Sequence, residues 1–323
     1  MRKLPIETRG LNLFLEVYLI GYKNSGESIV LFVKNELREA LWCGVIDCYT
    51  YKNHNKTRKL LMENGYGNKK IDFICISHPD IDHVKSISNI INEFTSDKTM
   101  FLMPNFSDSK IVQTKEIKRI NASLKSVFKN SYTRTKVINN LFYNQKIGIT
   151  DLKWQFIVGT KTINLQLESL TPFDSTMQNS TNVPYQQFKN DFSICLKLTL
   201  NDFQYLFMGD CTDIVLNELD EDYIPDELNY LKIPHHGCKS AMMEYYVNNI
   251  IKKIEVTGCA YRKHTTLKDT LEFYKRNCDQ VSITASIDPE KNVYAYGVVR
   301  HVYDIKSGYL IKSDCLGNAV LNY

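Results

Sequence analysis

The run Ile71-Asp-Phe-Ile-Cys-Ile-Ser-His-Pro-Asp-Ile-Asp-His83 constrains this chain more than any other stretch. A short apolar segment, broken only by Asp72, stops in His78, Asp80, Asp82 and His83, four metal-capable side chains within six residues. Phe73 to Ile76 is too short for a helix and reads as a buried strand. Pro79 has no N–H to donate, so that strand cannot continue inside a sheet. The cluster therefore belongs on a loop at a strand's C-terminal end, where open α/β sheets place their sites. The plainer alternative is an exposed acidic loop with two incidental histidines, and the rest of the chain weighs against it.

The 323 residues fit one large domain or two small ones, and 43% hydrophobic with 24% charged residues is ordinary globular material. No run approaches the roughly 18 apolar residues of a membrane span. The opening Met-Arg-Lys-Leu-Pro lacks the apolar core of a signal peptide. Nine cysteines without a C-x-x-C pair argue against a disulfide framework or a zinc ribbon, and for a reducing, cytoplasmic setting. A net charge of +4 permits a polyanionic partner without requiring one.

Leu11 to Ile20 and Ser28 to Val33 read as a hairpin around Lys23-Asn-Ser-Gly-Glu27, and Trp42 to Ile46 as a third strand ending in Asp47. Helical spacing over Thr57 to Asn64 and over Ser86 to Phe94 places helices before and directly after the cluster. A short strand at Met100 to Met103 precedes a basic, helical stretch over about 107–145. There Ile117, Ile120, Leu124, Val127 and Phe128 form an apolar face, among lysines and arginines that include Lys118 and Arg119. A solvated helix face is the ordinary reading of such charge. A surface for a phosphate backbone is the functional one. Further strands are expected at Trp154 to Val158, Ile163 to Leu170, Ser193 to Leu200, Phe203 to Met208, Tyr230 to Ile233, Ile254 to Cys259 and Val281 to Ala285. Helices are expected at Asp213 to Leu219 and Thr266 to Arg276, a loop over Thr171 to Gln187, and β-like runs to the end.

The strands stop repeatedly in the same chemistry: Asp47, the opening cluster, Asp210, His235-His236 and His264. If the strands lie in adjacent sheets, these loops converge. Imidazole with carboxylate suits zinc, manganese or iron. Two such ions about 3.5–4 Å apart clamp both oxygens of a phosphoester displacement. His54 reads as a loop residue and His301 as a packed or surface histidine. Cys48, Cys211 and Cys238 read as small packing residues.

Five motifs then follow in order: Ile46-Asp47, Ser77-His-Pro-Asp-Ile-Asp-His83, Asn190-Asp-Phe-Ser193, Met208-Gly-Asp210 and Lys232-Ile-Pro-His-His-Gly237. In this the sequence resembles the metallo-β-lactamase fold superfamily, and within it the soluble metallohydrolase domain of ComEC-type competence proteins, over roughly residues 10 to 285. The resemblance implies an α/β fold, an αββα sandwich, with the metals at one edge. The whole chain, 1–323, would be a single domain with a helical basic insert at about 107–145 and a β-rich extension at about 286–323.

By the same resemblance, two divalent ions, zinc or manganese, would be bound. His78 and Asp80 would serve one, Asp82 and His83 the other, with Asp210 between them and His235 or His236 completing the second. Asp47, Asn190 and Asp191 would support the site. Asp82, Lys232 and His264 are the candidate catalytic residues, Lys232 pointing either into the core or towards a substrate phosphate. Lys85, Lys118 and Arg119 are candidates for holding substrate.

Three departures stand out. Asp80 replaces a histidine, which favours harder ions such as manganese. No histidine lies between His83 and His235, so Asn190 or Asp191 would have to substitute for a missing ligand. The Asp82-His-Val-Lys-Ser86 run lacks the glycines of D-H-x-G-G. The expected function is a metal-dependent phosphodiesterase or nuclease acting on DNA, stand-alone or one component of a multi-protein system such as phage defence. The alternatives are a hydrolase of small esters, amides or thioesters, and a degenerate, non-catalytic subunit.

Overall fold

The computed structural model describes residues 5–8, 10–22, 26–103, 114–127, 137–138, 152–171 and 189–323. Within these residues two sheets face one another. The first runs in the order β1 (Ile6–Glu7), β8 (Leu152–Val158), β9 (Lys161–Ser169), β10 (Leu196–Leu200), β11 (Phe203–Phe207), β12 (Glu227–Lys232), β13 (Lys253–Cys259), β14 (Gln280–Ile283), β17 (Val320–Leu321). The second runs β16 (Leu310–Gly317), β15 (Tyr296–Asp304), β2 (Leu13–Tyr22), β3 (Glu27–Asn35), β4 (Ala40–Ile46), β5 (Phe73–Cys75), β6 (Met100–Leu102), β7 (Val137–Ile138).

Three apolar cores make this a four-layer αββα sandwich. Between the sheets, Leu15, Val17, Leu31, Trp42 and Phe73 meet Trp154, Leu165, Leu198, Phe207 and Tyr230. The Trp42 and Trp154 rings cross edge to face, 5.3 Å apart. The outer face of the second sheet is covered by α1 (Lys56–Glu63), α3 (Ile87–Phe94) and α4 (Lys115–Val127), through Leu61, Ile90, Ile91, Ile117 and Ile120. The outer face of the first is covered by α5 (Asp213–Glu218), α6 (Glu244–Asn249) and α7 (Leu267–Asn277), through Leu216, Tyr246, Leu271 and Tyr274. Strands covered on both faces need apolar residues at every position, which is why β5 is simply Phe-Ile-Cys.

The parallel strands position the site. β4 and β5 run parallel in one sheet, and β11, β12 and β13 in the other. Their C-terminal ends share one edge, where the Ile194 N–H donates to the Ser77 carbonyl across the sheets at 2.9 Å. The expected convergence of loops is thus a consequence of topology.

Three local features differ from the sequence expectation. The helix expected over Ser86 to Phe94 is α3, but a separate short helix, α2 (Ile81–Val84), precedes it and carries Asp82 and His83. They part at Ser86, whose φ is 82°. Within 107–145, α4 is helical, but 137–138 pairs as a strand with β6. The rest of that stretch, with most of the loop expected over Thr171 to Gln187, lies outside the described residues. The chain after 285 is woven into both sheets, with β15 between β2 and β16, and β17 on the edge of the other sheet. No helix among the described residues is long and apolar enough to cross a membrane.

Candidate metal centre

Asp47 leaves β4 in the left-handed region, with φ of 57°. Its backbone N–H donates to the Cys75 carbonyl at 2.9 Å. The carboxylate then spans the gap to the next loop: Oδ1 accepts from the Ser77 N–H at 2.7 Å and Oδ2 from the Ser77 hydroxyl at 2.6 Å. Oδ2 also lies 2.7 Å from His83 Nδ1. An ionised carboxylate only accepts, so this contact puts a proton on Nδ1 and leaves Nε2 as the position that a metal ion or a second proton would take.

His236 is arranged the same way from the other sheet. Its Nδ1 faces the Ala260 carbonyl at 3.1 Å and Glu27 Oε2 at 3.4 Å, both acceptors. The Nε2 atoms of His83 and His236 each stand 3.3 Å from one oxygen, Asp210 Oδ2. Asp82 Oδ2 lies 3.7 Å from His236 Nε2. Glu27, His83, Asp210 and His236 are all buried and place one donor atom each within 4.8 Å of the others. Glu27 sits on the Nδ1 side of both rings. The inward face, where a cation would sit, is made by Asp210, Asp82 and the two Nε2 atoms.

The backbone is bent to reach this geometry. His235, His236 and Gly237 take φ of 44°, 54° and 79° in succession. Two non-glycine residues in the left-handed region cost of order 1–3 kcal/mol each and persist only where surrounding contacts hold them. Glycine suits the φ of 79° at position 237, and a Cβ there would also press to 2.8 Å from Leu267 Cδ1. His264, on the loop after β13, props the turn, with its Nε2 3.0 Å from the His236 carbonyl and its Nδ1 3.1 Å from Thr266 Oγ1.

The electrostatics of the cluster favour positive charge. Burial alone would lower the His83 pKa, but the Asp210 and Asp47 carboxylates outweigh it and hold the ring well above its ordinary value. Burial likewise opposes the charge on His236, and Asp210 overrides it, raising the ring to about 9. Burial opposes ionisation of Asp210 too, yet His236 and His83 hold its carboxyl far below the usual range. Asp82 is also held low, against burial, by His236 and His83. Nearby, His78 goes the other way: burial, then the charge on His83, push it down to about 3.

The unmet hydrogen-bonding capacity is concentrated here. Among the described residues, fourteen buried side-chain polar atoms have no hydrogen bond, and seven belong to Glu27, His78, His83, Asn190, Asp210, His235 and His236. Native interiors leave few such atoms, and a cluster of them calls for an ion or ligand. The nitrogen and carboxylate donor set fits a divalent metal ion.

The other sequence candidates fall at graded distances. The His78 and His83 ring centroids are 4.1 Å apart, and His78 Nε2 is 4.0 Å from Asp80 Oδ2. Asn190 Nδ2 lies 3.2 Å from His235 Nε2, so His235 faces Asn190 while His236 faces Asp210. Asp191 turns away to accept from the Thr212 hydroxyl. His264 buttresses the histidine turn and is not among the converging donors. Lys232 takes the inward of its two directions. It is fully buried, with Nζ 2.7 Å from Glu27 Oε1, 2.9 Å from the Gly209 carbonyl and 3.7 Å from Asp210 Oδ1. With its donors used there, it does not reach towards a substrate. Lys85 lies over the Tyr49 ring at 5.1 Å. Lys118 and Arg119 are exposed on α4, where Arg119 pairs with Glu116 at 3.6 Å.

Two residues of the site have no motif in the sequence. Glu27 closes the turn-like Lys23-Asn-Ser-Gly-Glu27, and its only local signal is an acidic residue opening an apolar strand after Gly26. Arg262, half-exposed, places Nη1 3.1 Å from Asp82 Oδ2. In the sequence it stands two places before His264 without any motif of its own.

No family model matches the chain, and no curated protein does. Among solved structures, the chain is similar to a protein of Parabacteroides distasonis ATCC 8503 provisionally described as a metal-dependent hydrolase, with 13% identity and a TM-score of 0.39 over 82% of this chain and 96% of the other. It is also similar to Zn(2+)-bound PqqB from Methylobacterium extorquens, with 9% identity and a TM-score of 0.38 over 82% of this chain and 97% of the other. Both TM-scores lie below 0.5, and neither likeness bears on the chemistry of this centre.

Proposed function

We propose that the chain is a divalent-metal-dependent hydrolase of the metallo-β-lactamase kind, and that it cleaves phosphodiesters, DNA first among them. The observation that carries this reading is the pair of buried Nε2 atoms of His83 and His236, both free of hydrogen bonds and both aimed at Asp210. In this reading His83, His236, Asp82 and Asp210 would hold one ion, and His78 and Asp80 would serve a second. Zinc and manganese both suit the donors, and Asp80 tips the second position towards manganese. When bound, such ions act as Lewis acids and make water nucleophilic near neutral pH.

The chain's own residues then have separable tasks. Asp47 and Glu27 hold the two imidazoles by their far nitrogens, as carboxylates behind metal-binding histidines do. Lys232 offsets the buried negative charge of Glu27 and Asp210. For a nucleic-acid substrate the supporting feature is α4, which carries Lys115, Lys118, Arg119 and Lys125 and packs against α3 and α2, the helix of Asp82 and His83. A small ester as substrate would leave that basic face without use.

The test mixes the protein with plasmid and single-stranded DNA and manganese, beside an Asp82→Ala control. Metal-dependent cleavage by the wild type alone is expected. Equal cleavage by both proteins, or by neither, overturns the proposal. DNA binding should weaken steeply with salt, which a small-molecule hydrolase would not show.

A further inference from the structure

Two cationic side chains flank the candidate metal centre, one buried and one half-exposed. Lys232 is fully buried and committed to Glu27 and the Gly209 carbonyl. The Arg262 side chain is 48% exposed, while its Nη1 reaches Asp82 Oδ2 at 3.1 Å. That same oxygen lies 3.7 Å from His236 Nε2. The guanidinium therefore touches a donor of the centre with one edge and solvent with the rest. A guanidinium has five N–H donors in a rigid fork. Among the described residues, Arg262 has Asp82 as its hydrogen-bond partner, through Nη1.

The loop that carries it is pinned on both flanks. Before it, the Tyr261 N–H donates to Thr284 Oγ1 at 2.9 Å. After it, His264 bonds the His236 carbonyl at 3.0 Å and Thr266 Oγ1 at 3.1 Å. The backbone that carries Arg262 is thus held before any ligand arrives, which lowers the ordering cost of binding one. The fork geometry matches phosphate oxygens.

We propose that Arg262 is a substrate-binding residue, which takes a non-bridging oxygen of a phosphate group presented to the metal centre. The proposal rests on the metal-dependent hydrolase reading for its substrate, but its binding test stands apart from turnover. The experiment compares wild type, Arg262→Ala and Arg262→Lys after loading with manganese. Three quantities are read: metal content, the affinity for inorganic phosphate by calorimetry, and the hydrolysis of bis(p-nitrophenyl) phosphate.

Arg262→Ala should retain its metal and weaken phosphate binding about 10- to 100-fold, as expected for the loss of a charge-assisted hydrogen bond. Arg262→Lys should recover part of that loss. The KM for the diester should rise more than kcat falls. Unchanged phosphate affinity in Arg262→Ala, or a wild type that binds no phosphate, overturns the proposal. So does loss of metal in Arg262→Ala, because the arginine would then act only through Asp82. A wild type that binds phosphate through Arg262 but hydrolyses no diester leaves the anion site standing and removes the hydrolase reading.

Discussion

His83 Nδ1 stands 2.7 Å from Asp47 Oδ2, so the residue that ends one strand fixes the tautomer of a ring 36 positions later. The same carboxylate binds the Ser77 N–H and hydroxyl, which makes it the joint between two loops. Asp47→Asn keeps an acceptor for Ser77 but offers His83 an amide of uncertain polarity in place of a charge. Metal affinity should fall about 10- to 100-fold, the usual cost of disturbing a group behind a metal-binding histidine. Competition against a chromogenic chelator measures it. An unchanged affinity would show that the His83 ring needs no such support.

A protein that binds an ion only when folded is stabilised by it, by about 2.7 kcal/mol when free metal exceeds its dissociation constant a hundredfold. Chelator should therefore lower the melting temperature, and manganese or zinc should restore it. His236→Ala should abolish the metal-dependent shift. His264→Ala, which removes the prop behind the histidine turn and none of the converging donors, should diminish the shift without abolishing it. Melting curves with and without metal for the three proteins decide the matter. An equal shift in wild type and His236→Ala would place the ion elsewhere.

How much of this was legible depends on how local each signal is. A strand that ends in Ser77-His78-Pro79 announces its loop within three residues, and Gly209-Asp210 and His235-His236-Gly237 do the same. The burial of Asp82 and His83 in one helical turn after that loop follows the expected placement, but the left-handed Ser86 that separates this turn from α3 carries no glycine to signal it. Glu27 was illegible because its meaning lies in Lys232 and His236, which belong to the facing sheet. The direction of Lys232 was undecidable for the same reason. The residues after 285 read as a β-rich extension because no local pattern tells a strand which neighbour to pair with, and β15 inserts beside β2, the first long strand of the chain.

The Glu27–Lys232 pair is a buried ion pair at 2.7 Å with both side chains almost fully enclosed. Breaking such a pair from one side leaves a charge without compensation and costs about 3–5 kcal/mol. Lys232→Met should do so twice over, since Asp210 also loses its nearby ammonium, 3.7 Å away. Glu27→Gln should destabilise as well. The double variant, Glu27→Gln with Lys232→Met, should be less destabilised than the two single effects added together. Urea denaturation of the four proteins, with chelator present, provides the cycle. Additive losses would show that the two side chains do not depend on each other.

His301 supplies a pH signal away from the metal centre. It is buried on β15 and bridges the sheets, with Nε2 3.1 Å from Ser282 Oγ of β14 and Nδ1 2.9 Å from Ser313 Oγ of the neighbouring strand. Burial pushes its pKa down from 6.5 to about 4. The folded ring thus holds its proton less tightly than the unfolded one. Stability from this residue is complete above about pH 6.5 and is lost as pH falls towards 4, because the unfolded chain takes up the proton first. The difference corresponds to roughly 3 kcal/mol. His301→Gln keeps a hydrogen-bonding side chain but cannot titrate. Denaturation of both proteins between pH 7 and 4 at constant salt should show the wild type losing stability faster, with the gap between them changing by about 3 kcal/mol across that window. Parallel curves would mean that His301 does not change its proton affinity on folding.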